Sequence, residues 1–578
     1  MTSVTMSSSA SLSILQDPLP VFLELYNEVI SLAHEAQSKF EHSEGETGDK
    51  AATVVKKFLK TLKETHSIAN QVNKYCKKYD FSSKTRGNGH QSFVIIFERF
   101  LDSFRNEFKK NKKQIFLFKS RAQSFLTNFV PWINALSTYL TILKVVVHIH
   151  KKSANGELFL NEGQEKISKP LLKLRTRDLY GQCLGFQFDK SITKYVKALL
   201  VYVISVWNTF ESEKKKRSDL AEILDMRKYM GKDEERGKLI EEIEGKVTLE
   251  FVTFFFQKPP NSILLKFEKF FPQPKPTVAY NIDIPMKPFQ LETSNGTITI
   301  SPLFKRLNGK PLRARLVSDS VREGMETKKK EVLPKSNDLI IAVHPGPLLS
   351  KAVDDNDHYT SSWSKVTGAP IVSIIYSNAL DKKHPQQLEE CFFSYCWIIN
   401  NTQYFGSKGK NIILYGVSVG GTLALALMIK LLEKKVRIPN GCFFNTSTFR
   451  MNPISPSQLL AVMDGFIPLS TVERLMEKYL GRSAYDNEID EHISPYFMSD
   501  DFVKALPPIY LLTSHMDISL DDNVEFAKRL KKLGKQVNLT IVPHLPHGFS
   551  ALAKLNKTAK DAQANADEKL NELLKSIK

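Results

Sequence analysis

Cysteine is scarce in this chain: five residues in 578 (Cys76, Cys183, Cys391, Cys396 and Cys442), an odd number with no C-x-x-C pair. That supports neither a disulfide framework nor a zinc knuckle and points to a reducing compartment. Long apolar runs are lacking too. The two longest, Ser137–Ile149, broken by Lys144, and Ala198–Trp207, fall short of the about 20 residues a membrane-spanning helix needs and read as buried core helices. The amino terminus, MTSVTMSSSASL, has no basic segment followed by an apolar stretch. It does not read as a secretory signal, and a soluble or peripheral protein in the cytoplasm is expected. No repeat recurs at a fixed period, and no nucleic-acid motif is satisfied. With 26 glycines, 27 prolines, 42% hydrophobic and 25% charged residues, collagen-like, disordered and low-complexity classes are excluded.

Positive charge, by contrast, is in excess: +19 overall. Residues 51–200 hold 28 Lys and Arg against 10 Asp and Glu, an excess of 18 that accounts for nearly all of it. Such a block, including Lys109, Lys110, Lys112 and Lys113, invites an anionic partner. Without a nucleic-acid motif, an anionic lipid surface is the partner to expect, set against the plainer reading of solvated helix faces.

At about 150 residues per domain the length allows two to four units. Residues 1–258 contain four prolines (Pro18, Pro20, Pro131, Pro170) and show apolar positions at helical spacing. Phe22, Leu23, Leu25, Val29, Ile30 and Leu32 form one stripe; Phe58, Leu59, Leu62 and Ile68 form another. Nine prolines then fall between Pro259 and Pro311, a stretch that cannot sustain helices and reads as a connector. We place the boundary near 275–295. Beyond it come short apolar runs at Leu339–Val343, Ile371–Tyr376, Ile412–Tyr415, Cys442–Asn445, Ile509–Thr513 and Val537–Val542, separated by helix-length segments. Continuous rather than alternating runs suit strands buried on both faces of a mostly parallel sheet with helical crossovers. Ile298–Ile300 and Leu312–Val317 are expected to add a leading antiparallel hairpin. Ala551 to Lys578 reads as a terminal helix with Leu555, Leu570, Leu573 and Leu574 on its apolar face. The predicted organisation is a Ser/Thr-rich disordered tail (1–12), a helical region for lipid or partner binding (13–275), a connector with the start of the sheet (276–310) and an α/β unit (311–578).

Gly416-Val417-Ser418-Val419-Gly420 follows the strand Ile412–Tyr415 and precedes a good helix, Thr422–Leu432. A sharp strand-to-helix turn needs small residues beside the serine so that backbones can cross, and it exposes the hydroxyl at the helix N-terminus. Gly421 extends the motif. A serine nucleophile needs a base within hydrogen-bond reach, itself oriented by a carboxylate, in the chain order Ser, acid, His. Ser514-His515-Met516-Asp517 follows one predicted strand and Pro543-His544-Leu545-Pro546-His547-Gly548 follows the last. Both fall where strand carboxyl ends gather the loops of an open α/β sheet. Asp517 is preferred over Asp521 and Asp522, which read as first-turn acids of the next helix. His547 is preferred over His544 and His515, which read as surface histidines, because the glycine after it permits a tight turn. The N–H of Val419 is the natural first oxyanion donor, and a second is expected from the loop His344-Pro345-Gly346-Pro347.

These residues resemble the hormone-sensitive lipase family of α/β-hydrolases. HPGP resembles the family's H-G-G-G loop, Gly368–Ser377 its strand-to-turn segment, Leu388–Ile399 the helix before the nucleophile strand, and GVSVGG its G-D-S-A-G-G elbow. VRIPNG, SPSQLL, LPPIYLL and LPHGF follow in the family order. In the first half, CLGFQF (Cys183–Phe188) and MRKYMGKDEERG (Met226–Gly237) resemble the helical domain of the animal lipase. The resemblance implies an α/β-hydrolase domain behind a helical one. It implies a carboxylester hydrolase acting on acylglycerols or sterol esters, in the cytosol and at lipid-droplet surfaces, without a cofactor. It also makes Ser418 nucleophile, Asp517 orienting acid, His547 base, Gly346 an oxyanion donor and His344 an organiser of that loop. Three positions depart from the family pattern: Pro347, which has no N–H to donate; Val417, in place of the elbow aspartate; and Tyr376-Ser377-Asn378-Ala379-Leu380-Asp381, in place of a Y-x-L-A-P-E segment. The interval of 99 residues from Ser418 to Asp517 has no room for the long phosphorylated insertion of the animal lipase. Two rival readings stay open: a short-chain esterase or arylacetamide-type deacetylase, and a catalytically weak lipid-binding scaffold.

Overall fold

The structure, a computed structural model, describes residues 18–42, 45–114, 120–153, 157–160, 164–212, 218–257, 276–304, 311–326, 331–345, 357–379, 382–451, 454–482, 490–553 and 556–578. Among the described residues up to 257 there are ten α-helices and no strand. The first four are long: α1 (Pro18–Glu41), α2 (Glu46–Tyr79), α3 (Gly89–Gln114) and α4 (Ser120–Lys152). The periodicity of α2 explains its role, since Ala52, Val55, Phe58, Leu59, Leu62, Ala69, Val72 and Cys76 are all buried at helical spacing. Phe58 meets Phe104, Phe108 and Phe129 with ring centroids at 4.7, 5.7 and 5.1 Å, so one aromatic knot joins α2, α3 and α4. In α1, Phe22, Leu25 and Val29 are buried, but Leu23 is exposed and leaves the predicted stripe, because one residue along a helix turns about 100° off the buried face. Helix α4 runs well past the apolar run at 137–149. Its segment Ala122–Lys152 is long and apolar enough to cross a membrane, a length the run alone did not suggest, and 61% of that segment's most apolar window is buried inside the fold.

Shorter helices follow: α5 (Gln164–Leu171), α6 (Arg177–Tyr180), α7 (Thr193–Phe210), α8 (Asp219–Gly231), α9 (Asp233–Lys246) and α10 (Leu249–Gln257). Arg236, fully buried, explains the block MRKYMGKDEERG: its guanidinium donates to the carbonyls of Tyr180, Gly181 and Tyr229 and to Asp233. Gly237 has no room for a Cβ, which would lie 2.0 Å from the Arg177 carbonyl.

The second half carries an eight-stranded sheet in the order β1-β4-β6-β5-β7-β8-β9-β10. Its strands are β1 (Val278–Ile284), β4 (Leu312–Ser318), β5 (Ser336–Val343), β6 (Ile371–Ile375), β7 (Ser407–Val417), β8 (Gly441–Asn445), β9 (Ile509–Met516) and β10 (Val537–Pro546); β2 (Phe289–Thr293) and β3 (Gly296–Ile300) form a separate ribbon. The six strands from β6 to β10 pair in parallel, while β4 is antiparallel to both β6 and β1. This corrects the expected hairpin. Leu312–Val317 pairs with Val278–Ile284, and Ile298–Ile300 pairs with Phe289–Leu291. The apolar/polar alternation of VAYNIDI suits an edge strand covered on one face only.

Helices α11 (Asp357–Thr367), α12 (Gln386–Asn400), α13 (Val419–Glu433), α14 (Leu469–Leu480), α15 (Asp500–Ala505), α16 (Leu520–Lys532) and α17 (Lys557–Ser576) complete this half. Helix α11 packs on α17 and α12 on α13. Leu570, Leu573 and Leu574 of α17 are wholly buried; Leu555 lies outside the described residues, as do the tail 1–12 and the prolines from Pro259 to Pro274. All five cysteines are buried and unpaired.

Candidate active site

Strand β7 ends at Val417 and α13 begins at Val419, leaving Ser418 alone to make the turn. It does so at φ 53°, ψ −128°, a positive φ that a residue with a Cβ adopts only when its surroundings impose it. The glycines provide that imposition. A Cβ on Gly416 would lie 2.5 Å from the Gly421 Cα, one on Gly420 would lie 2.4 and 2.5 Å from the carbonyl oxygens of Val343 and His344, and one on Gly421 would lie 2.0 Å from the Ser447 hydroxyl. The elbow therefore passes directly against the end of β5. Val417 is buried at the position of the family's aspartate.

Ser418, Asp517 and His547 each follow the carboxyl end of a parallel strand, β7, β9 and β10, and so meet at one rim of the sheet. Ser418 Oγ lies 2.8 Å from His547 Nε2, and His547 Nδ1 lies 2.8 Å from Asp517 Oδ1. Because the carboxylate can only accept, the Nδ1 nitrogen carries the proton and Nε2 is left to accept from the serine hydroxyl. Asp517 is wholly buried, and its Oδ1 also accepts the Ser519 N–H and hydroxyl, both at 2.7 Å. Burial opposes the charged form of His547, but the charge and hydrogen bond of Asp517, with a further contribution from Asp464, outweigh it and hold the imidazole above its ordinary value.

The rival residues serve elsewhere. Asp521 and Asp522 open α16, wholly buried. Asp521 accepts the N–H groups of Gly89 and Ser457, each at 2.7 Å, and Asp522 accepts those of Phe449 and Arg450 at 3.1 and 2.9 Å. His515 is a buried strand residue, not the surface histidine expected, and burial pulls it down to about 4. His544 is half-buried in the irregular stretch of β10 between Val542 and Pro546, at φ 54°. It keeps partial exposure, and burial together with the nearby Arg99 charge lowers it to about 3.

His344 directly follows β5. Its ring stacks on Tyr376, with centroids 4.1 Å apart and planes 6° from parallel, and its Nδ1 donates to the Pro345 carbonyl at 2.8 Å. The Tyr376 hydroxyl donates to the His344 carbonyl at 3.0 Å, and burial lowers the imidazole to about 4, keeping it neutral. Next to Tyr376, Ser377 is fixed by the buried Glu390, which accepts its N–H at 2.5 Å and its hydroxyl at 2.7 Å. Gly346 and Pro347 lie outside the described residues, as do Leu380 and Asp381. Val419 contributes the first N–H of α13, one of the four that a helix cannot pair internally. Among the described residues no group of three or more His, Cys, Asp or Glu could hold a metal ion.

The family model for the N-terminus of hormone-sensitive lipase matches residues 25–326, and the model for the alpha/beta hydrolase fold matches residues 340–551. The chain belongs to the hormone-sensitive lipase family. Mouse hormone-sensitive lipase is 27% identical over 439 residues, covering 71% of this chain and 57% of the mouse protein. The human protein is 27% identical, with 71% of this chain and 40% of the human one covered. The chain thus spans about half the length of these curated relatives. Lipase 2 of Moraxella sp. (strain TA144) is 24% identical over 243 residues, 37% of this chain and 55% of that one. Among solved structures, an esterase from Pyrobaculum calidifontis superposes with a TM-score of 0.44 at 17% identity over 56% of this chain and 93% of its own. Membership of the hormone-sensitive lipase family accounts for a helical half and an α/β-hydrolase half in one chain. It does not by itself point to Asp464, Ser519 or Glu390, side chains at or near this site that sequence reasoning missed. SPSQLL was noted as a family block, yet nothing local distinguishes the aspartate four residues after it.

Proposed function

We propose that the protein is a serine carboxylester hydrolase whose substrates are lipid esters, acylglycerols or sterol esters. The observation that carries this reading is the unbroken chain of two 2.8 Å contacts from the Ser418 hydroxyl through His547 to Asp517. In the acylation step Ser418 Oγ bonds to the ester carbonyl carbon and its proton passes to His547 Nε2. The imidazolium, steadied by Asp517, then returns that proton to the departing alcohol as the C–O bond breaks. Water repeats the sequence to release the acid. In this reading the N–H of Val419, first of α13, donates to the developing oxyanion, where the helix dipole favours negative charge. Gly420 packs against the carbonyl oxygens of Val343 and His344, and the second donor in this reading is Gly346, as the family resemblance implies. No metal or organic cofactor enters this chemistry. The hormone-sensitive lipases among its relatives support lipid rather than purely soluble esters, and the reading places the protein in the cytosol at lipid-droplet surfaces, as the family resemblance implies.

The test is hydrolysis of a soluble short-chain ester and of an emulsified long-chain acylglycerol by the full chain and by Ser418→Ala. We expect both substrates to be cleaved by the parent and kcat to fall by roughly 10⁴-fold or more in the variant. Full activity in Ser418→Ala refutes the nucleophile. Cleavage of the soluble ester alone replaces the lipase reading with the short-chain esterase.

A further inference from the structure

Three consecutive residues of the helical half, Gln187, Phe188 and Asp189, touch two separate loops of the α/β half. The Gln187 side-chain amide donates to the Met463 carbonyl at 2.8 Å, and the Phe188 ring meets that of Phe466 at 6.0 Å. The Asp189 N–H donates to the His544 carbonyl at 3.1 Å. The loop around residue 464 is thereby clamped to the loop that ends in His547. Two more contacts hold it: the Tyr180 hydroxyl donates to the Val462 carbonyl at 3.1 Å, and a Cβ on Gly465 would come within 2.8 Å of Val196.

Between these anchors stands Asp464, 1% exposed. Its Oδ1 accepts the Phe466 N–H at 2.7 Å, while its Oδ2 is buried with no hydrogen-bond partner. A buried carboxylate oxygen without a donor is costly. Burial pushes the Asp464 carboxyl up to about 6, against the pull of the Phe466 and Ile467 N–H groups and of the charge on His547, whose own proton affinity Asp464 in turn raises. The other titratable groups in this field are Asp517, bonded to His547, and the Tyr180 hydroxyl on the helical side.

We propose that Asp464 is a second carboxylate serving His547, a positioning residue held beside it by the Gln187–Asp189 segment, whose unpaired oxygen stabilises the imidazolium formed when Ser418 gives up its proton. The proposal rests on the hydrolase reading above. It gives the helical half a share in the chemistry, since the clamp that sets the distance between the two loops belongs to that half. It also gives the CLGFQF block, through Gln187 and Phe188, a physical task.

The test is the pH dependence of kcat/KM for p-nitrophenyl butyrate in the full chain and in Asp464→Asn, which retains an acceptor for the Phe466 N–H and loses the charge. The acid limb, set by His547, is expected to move down by about half a pH unit or more, with kcat reduced roughly tenfold and KM within about twofold. An unmoved limb in a variant that melts like the parent overturns the proposal, because a purely structural side chain lowers activity without displacing the limb. If Asp464→Asn fails to fold, Gln187→Leu takes its place. A smaller shift of the limb in the same direction supports the clamp, and no shift overturns it. Fluorophosphonate labelling of the parent separates the two levels. A parent that is not labelled at Ser418 overturns both the hydrolase reading and the role of Asp464, whereas a labelled parent with an unmoved limb overturns Asp464 alone.

Discussion

Ser418 sits at a backbone conformation no serine would choose in isolation, and three glycines whose missing side chains let β7, α13 and the end of β5 touch keep it there. The same economy governs His547. A buried imidazole ought to lose its proton easily, yet Asp517 in contact and Asp464 nearby raise its affinity. General-base chemistry needs the neutral ring, so activity must fall as the pH drops through a value above the ordinary histidine value of about 6.5. A kcat/KM profile with an uncharged ester should place the acid limb there; a limb below that value contradicts the electrostatics. Much of this site was legible residue by residue. The elbow motif, the chain order and the glycine after His547 are local features, and each of the three side chains follows directly on its strand. Asp464 was not legible, because its partner lies more than eighty positions away and only the folded loops bring the two together. The surface reading of His515 failed for a related reason: an imidazole within β9 belongs to a strand buried along its whole length.

Elements that bury both faces announce themselves, as the uninterrupted apolar runs of β5, β7, β8 and β9 show. Edge elements do not. Strand β1 alternates and lies among prolines, and pairing β4 with the nearer β3 was the natural expectation, whereas the structure spans a longer loop to reach β1. The first-turn acids of α16 were recognisable from their place at a helix N-terminus, but what they hold was not. Asp521 binds the N–H of Gly89 at the start of α3 and that of Ser457 together, tying the helical half to the turn that carries Asp517. Asp521→Ala leaves both N–H groups buried and unpaired. Even after relief of a buried charge, we expect a loss of about 2 kcal/mol or more, read as a lower urea midpoint with an unchanged slope. A variant as stable as the parent removes this link.

Over the whole molecule the two halves share polar contacts as well as packing. Ser92 donates to the His515 carbonyl at 2.5 Å, Tyr180 to Val462 at 3.1 Å and Gln187 to Met463 at 2.8 Å, while Ser470 donates to the half-buried Glu244. The helical half thus reaches the rim where the site lies, and it also carries the basic excess of residues 51–200. If that excess meets an anionic lipid surface, vesicles containing phosphatidylserine should bind the full chain more tightly than phosphatidylcholine alone, and salt should weaken the difference. Equal, salt-independent binding assigns those lysines to solvated helix faces. All of these expectations depend on an activated serine. The most direct measurement is reaction of the intact protein at neutral pH with a fluorophosphonate, followed by peptide mass spectrometry. The account predicts one adduct per chain, on Ser418, and its loss in His547→Ala. An unmodified Ser418, or labelling undiminished by that substitution, would contradict it.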